Sequence, residues 1–177
     1  MIDDHTRERV SEAIGSLPVT ATIQDAPNGL SLHMTLPLAH TRDEVWAAIT
    51  EPAVLAGWSP IVPDRPLSAV GPAVSHENPE DEPVDASVLS VVAGEELRHR
   101  WGDGQVSWRV DAVEGGVTLV LEQEFDSREM AAMTAAGWHV CFAVLSLQLD
   151  GEAVGRVVGM DAMAVGWEGL RDRYAAV

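Results

Sequence analysis

The chain has 177 residues, with 28 acidic side chains against 11 basic ones and a formal net charge of −17. All of the Lys/Arg complement is arginine, so chemistry that needs lysine, such as an internal Schiff base or a phosphate-binding P-loop, is excluded. The acidity argues against nucleic acid and against a polybasic membrane contact, since both depend on Lys/Arg–phosphate pairing.

The length suits one domain with a sizeable core, and 46% hydrophobic with 22% charged residues reads as globular. Cys141 is alone, so no intramolecular disulfide and no cysteine-based zinc motif can form. Met1 to Pro18 has no apolar run of signal-peptide length. Ala135–Leu149 is too short for a membrane span and holds His139, Ser146 and Gln148. The expected location is cytoplasmic.

His5–Ile14 fits a short charged helix closed by Pro18. Val19–Gln24 and Leu30–Leu38 alternate, with Leu30, Leu32, Met34, Leu36 and Leu38 on one face, and predict a hairpin with a rather long loop over Asp25–Gly29. Thr41 and Glu44 form a capping-box pattern. The helix that follows carries Val45, Trp46 and Ile49 inward, and Pro52 opens a second short helix stopped near Gly57. Val62–Leu67 reads as loop, Pro72–His76 as a short strand and His76–Pro83 as an acidic loop. Asp85–Val92, Glu96–Trp101, Gln105–Val113 and Val117–Phe125 predict strands joined by tight turns, an antiparallel meander.

Asp126/Ser127 open a long helix reaching Leu149. Met130 and Met133 begin its apolar stripe, and Trp138, Phe142, Leu145 and Leu149 continue it. It is apolar nearly all round, so one side lies on the sheet and the other needs a cover. Beyond an extended Gly151–Gly159, Met160, Met163, Trp167, Leu170 and Tyr174 form a helical seam. Two covers fit this seam: the long helix of the same chain, or a second copy in a homodimer.

The segment from Leu36 to Pro52, followed by Leu55-Ala56-Gly57-Trp58, resembles a family opening of the form V-W-x-A-[IL]-T-x-P-x-x-L-x-x-W. Leu97–Gly102, Gly116–Leu121 and Ala136–Val140 resemble its later landmarks. Together, over Leu30 to Leu149, these are similar to the activator of heat-shock protein 90 ATPase homologue branch of the START-like (SRPBCC) superfamily. The resemblance implies an α+β helix-grip fold: a curved antiparallel sheet wrapped around a long C-terminal helix, with two short helices after the first core strand. It divides the chain into an N-terminal helix and strand (1–29), the helix-grip domain (30–150) and a C-terminal helical appendage (151–177). It also implies a cavity between sheet and helix. Members include apolar-ligand carriers, aromatase/cyclases and co-chaperone domains, and most bacterial members have no assigned activity. The co-chaperone's separate N-terminal domain has no counterpart in residues 1–29, which argues against chaperone activation.

Six Trp against two Phe and one Tyr is an unusual balance. Trp58, Trp101, Trp108 and Trp138, with Phe142, fall in segments that surround the expected cavity, as a ligand-contacting lining or as plain core. Trp46 reads as core and Trp167 as part of the terminal seam. His76 and His99 are the attractive polar groups for such a cavity, with His139 beside them on the long helix. A solvated or singly hydrogen-bonded histidine is the competing reading, which the absence of ligand-like His spacing favours. His139 and Cys141 do not face each other, so Cys141 reads as a small core residue. Arg98, Arg100 and Arg109 share the outer phase and are expected to pair with Glu122 or Glu124. The acidic run from Glu77 to Glu96 lacks an EF-hand order and reads as a solvated loop.

The expectation is therefore non-catalytic binding of a small, largely apolar or aromatic ligand by Trp58, His76, His99, Trp101, Trp108, Trp138 and Phe142. No catalytic residue, cofactor or metal is assigned. The alternatives are a polyketide cyclase/aromatase-like enzyme, which needs His76 or His99 as an interior acid or base, and a co-chaperone-like interaction module.

Overall fold

The computed structural model describes residues Met1–Val177. Helix α1 (Asp4–Ser16) opens it, with the Asp3 carboxylate accepting from the Thr6 amide at 2.8 Å. Strands β1 (Thr20–Ala26) and β2 (Gly29–Leu38) follow as a hairpin. Its loop is tighter than the sequence suggests, because Ala26 pairs directly with Gly29 across Pro27-Asn28. Glycine permits this: Gly29 has φ +144°, and a Cβ there would lie 2.4 Å from the Phe125 carbonyl oxygen.

Helix α2 (Arg42–Thr50) begins at the expected capping box. The Glu44 amide donates to the Thr41 hydroxyl at 3.3 Å, and the Thr41 amide donates to the Glu44 carboxylate at 2.8 Å. Pro52 cannot extend α2 and instead starts α3 (Pro52–Leu55). The following strap is pinned by Arg65, whose guanidinium donates to the carbonyls of Pro66, Ala69, Gly71 and Pro72 at 2.7–3.0 Å. It leads to a small ribbon of β3 (Val74–Ser75) and β4 (Val84–Asp85).

The meander is β5 (Val88–Val92), β6 (Glu96–Trp101), β7 (Gly104–Val113) and β8 (Gly116–Phe125). β8 then pairs with β2, giving a six-stranded antiparallel sheet in the order β1-β2-β8-β7-β6-β5. Alternation decides its faces. Leu32, Met34, Leu36, Leu97, Val106, Trp108, Val110, Leu119 and Leu121 are buried on the inner one.

Helix α4 (Arg128–Leu149), capped by Ser127, lies in the grip of that face. By length and apolarity it would pass for a membrane span, yet 72% of its most apolar window is buried inside the fold. Its far side is covered within the chain by α6 (Trp167–Ala175) and also by α1, a cover the sequence did not reveal. The Arg9 guanidinium ties α1 to Glu152 through two hydrogen bonds of 2.7 and 2.8 Å. One hydrophobic core therefore runs from Val10 and Ile23 through the grip to Leu170 and Tyr174.

Two expectations fail at the edges of this core. The terminal seam is not one helix: α5 (Met160–Met163) and α6 are separated at Gly166, which has φ +97°. Leu170 and Tyr174 are buried, whereas Met160 and Met163 are exposed. Met130 and Met133 are exposed as well, rather than opening a buried stripe. With half-buried Thr134 and Gly137 they share one flank of α4, where Gly137 faces the Trp167 ring at the start of α6. Further along, that flank is closed: Val144 is buried and the Gln148 amide donates to the Val54 carbonyl at 3.1 Å.

Candidate functional site: an aromatic cluster in the grip

Four rings meet between sheet and α4. Trp58 arrives from the turn after α3, Trp108 from the middle of β7, and Trp138 and Phe142 from successive turns of α4. Every pair among them is in ring contact, with centroids 5.2–6.4 Å apart and Trp108 edge-on to Trp138. All four are buried. Trp101, at the end of β6, adds a fifth ring 5.5 Å from Trp138 and is half-buried.

A buried indole needs an acceptor for its N–H, and each interior Trp has a different one. Trp58 donates to the Ala48 carbonyl at 2.9 Å. In α2 that carbonyl would ordinarily serve residue 52, but Pro52 has no N–H to offer. Trp138 donates to the Gln123 side-chain carbonyl at 2.7 Å, and Trp108 to His99 Nε2 at 3.1 Å. Gln123 is a site residue the sequence reading passed over. Its signal was available: it is the polar residue on the inward phase of Val117–Phe125.

His99 faces inward, as its alternation with Leu97 and Trp101 predicts, and is 1% exposed. Its Nδ1 lies 2.8 Å from the Arg100 carbonyl oxygen, which can only accept, so Nδ1 carries the proton and Nε2 receives the Trp108 N–H. Burial pushes its pKa down to about 4 against the opposing pull of that carbonyl. With both nitrogens engaged, His99 has no free proton to donate and no free lone pair to take one. His76 is placed differently. It is half-buried at the start of the acidic loop, with Nδ1 3.1 Å from the Asp81 carbonyl oxygen.

His139 looks away from the sheet. Its Nδ1 accepts from the Tyr174 hydroxyl at 2.5 Å and its Nε2 donates to the Ile14 carbonyl at 3.3 Å, so one imidazole joins α4, α6 and α1. This is more than the single hydrogen bond expected of it. Burial lowers its pKa to about 4, and the cationic Arg173 nearby lowers it further against the Ile14 carbonyl. Burial also pushes the Cys141 thiol up to about 12, so it stays protonated and unreactive. Trp46 is half-buried rather than core, and Trp167 lies half-buried under the Arg171 guanidinium, 5.5 Å away.

Two surface clefts lie outside the aromatic cluster. One, of about 260 Å³, sits between α1 and the end of α4 and includes Arg9, Ser146 and Asp150. The other, of about 370 Å³, is on the sheet's outer face among Ser90, Glu96, Arg98, Ser107, Arg109 and Glu122. The arginines take the outer phase as expected, but their partners differ. Arg109 pairs with Asp111 on its own strand, Arg100 with Asp85 of β4, and Glu122 with His33.

An antiparallel sheet closed around a long C-terminal helix, with a ring-filled interior, defines a START-like helix-grip protein. The family model described as activator of Hsp90 ATPase homolog 1-like protein matches residues 39–150, and the chain belongs to that family. Comparison with curated proteins finds no match. Among solved structures, CalU16 from Micromonospora echinospora is similar, with a TM-score of 0.72 and 19% identity over 91% of this chain and 95% of that one. EF2215 from Enterococcus faecalis, a conserved protein of unknown function, gives 0.70 and 13% over 96% and 94%. DynU16, a protein in the dynemicin biosynthetic locus, gives 0.61 and 23% over 71% of this chain and 49% of its own.

Proposed function

We propose that the protein binds a small, largely apolar or aromatic molecule between the sheet and α4, and does no chemistry on it. The observation that carries this reading is the mutually touching cluster of Trp58, Trp108, Trp138 and Phe142. Its indole N–H groups are all satisfied internally, so the surface it offers a guest is made of ring faces and edges. In this closed arrangement the rings fill the grip themselves, so a ligand enters by displacing them. A cyclase-like reading asks for His76 or His99 as an interior acid or base; His99 is neutral with both nitrogens engaged, and His76 sits at the start of the acidic loop, so neither favours it. The likeness to a protein of a biosynthetic locus is compatible with a small-molecule ligand.

The test is an amide and indole NMR titration with N-phenyl-1-naphthylamine, an uncharged aromatic probe. Saturable shifts of the Trp58, Trp108 and Trp138 indole N–H signals, with Trp46 and Trp167 unmoved, are expected. No saturable shift, or shifts confined to Trp46 and Trp167, overturns the reading.

A further inference from the structure

Trp101 differs from its neighbours in every respect that would hold a ring in place. Trp58, Trp108, Trp138 and Phe142 each touch the other three, while Trp101 touches Trp138 alone. The three interior indoles spend their N–H groups on Ala48, His99 and Gln123, whereas the Trp101 N–H makes no hydrogen bond within the protein. The residue directly across the sheet is Gly104, so no cross-strand side chain braces the ring. Beside it, Gly102 turns the hairpin at φ +60° with open space around it.

The position also matters. On the inner face, Trp101 of β6 and Phe125 of β8 occupy the last residues of their strands at one end of the sheet, and both are half-buried. One residue pair further in, His99 and Gln123 are already buried. Trp101 thus stands where solvent ends and the ring cluster begins.

The geometry points to Trp101 as the gate of the grip: its indole rotates off Trp138 to admit a ligand, while the strands and α4 stay in place. This rests on the binding reading above. The motion breaks one ring contact and no protein hydrogen bond. Moving any of the three interior indoles breaks several contacts and orphans a buried N–H and its acceptor, a far larger cost.

The test compares Trp101→Ala, made in a Trp46→Phe/Trp167→Phe background, with Trp46→Phe/Trp167→Ala, which removes a half-buried ring from α6 and leaves the cluster untouched. Trp101→Leu serves if the alanine variant loses its far-UV circular dichroism. Stopped-flow association of N-phenyl-1-naphthylamine should accelerate roughly tenfold or more in Trp101→Ala, while the Trp167→Ala protein stays near the background rate. Equal acceleration in both, or none in Trp101→Ala, overturns the gate. Acrylamide quenching separates this from a failure of binding itself. If Trp101 is the gate, its removal makes the remaining interior indoles more quenchable. If it is not, deleting the half-buried indole leaves only slowly quenched emission. Absence of probe binding in all proteins sinks the binding reading, and the quenching result then still decides the gate.

Discussion

Acid should destabilise this protein through His99 well before its carboxylates titrate. His99 has its pKa lowered from 6.5 to about 4 by burial, so the unfolded chain binds its proton more tightly than the native one. Stability tied to this group is therefore complete above the unfolded pKa and is lost as the pH falls from 6.5 towards 4. Linkage gives roughly 2 kcal/mol lost between about pH 7 and about pH 5, and about 3 kcal/mol by pH 4. His139 adds a loss of the same sign over the same window. The carboxylates with lowered pKa values, among them Asp85 and Glu152, ordinarily titrate at 3.8 and 4.5, so their share is lost only as the pH falls through those values, mostly below about pH 5. The assay is urea unfolding followed by circular dichroism across this range, for the parent and for His99→Gln. Glutamine stays neutral and keeps an oxygen for the Trp108 N–H. The parent should lose about 2 kcal/mol more than His99→Gln between about pH 7 and about pH 5. Parallel losses in the two proteins would refute the reasoning, as would a charged His99 imidazole seen by NMR at about pH 5.

Two more outcomes follow from side chains that join separate elements. Tyr174→Phe deletes the hydroxyl that donates to buried His139 Nδ1 and should cost about 1–2 kcal/mol in urea unfolding; a stability unchanged from the parent would mean that the Tyr174–His139 bond does not fasten α6 to α4. Arg65→Ala frees four carbonyls of the strap and should cost about 1–2 kcal/mol, with hydrogen exchange rising first at the Gly71 and Val88 amides, each of which donates to the other residue's carbonyl at the β5 edge. Faster exchange spread evenly over the sheet would contradict a local clamp.

The sheet and α4 were legible because period-two alternation and a long apolar run are local signals that packing does not override. Val117–Phe125 and Glu96–Trp101 show it plainly, since their buried phases are those their sequences display. What stayed illegible depends on register or on volume. The phase of Arg109 says which face it takes but not its partner. It lies across from Glu96 and Val120, yet it binds Asp111, two residues along its own strand. The seam from Met160 to Tyr174 keeps helical spacing straight through Gly166, so the spacing alone could not reveal a break that needs a left-handed backbone. Nor does alternation measure space. It put Trp108 and Trp138 on facing surfaces, but whether the rings line a void or fill it is decided by how they meet in three dimensions.

The run Pro52-x-x-Leu55-x-x-Trp58, met as a pattern in the sequence, has a physical reading in the fold. Pro52 ends α2 and leaves the Ala48 carbonyl without its helical donor, a deficit that would be costly in the core. Three residues on, Leu55 is buried and fixes the short helix to the same core. Three further, Trp58 turns back, and its indole N–H fills the vacancy at Ala48. A helix break that looks like a local accident is thus the condition for placing a large ring at the centre of the grip. A donor at position 52 would compete with the Trp58 N–H for Ala48 only if α2 ran on through Glu51, which is extended here as residues before proline prefer. The position of Trp58 at the centre of the ring cluster is in that sense encoded six residues earlier, by the proline that leaves Ala48 without its helical donor.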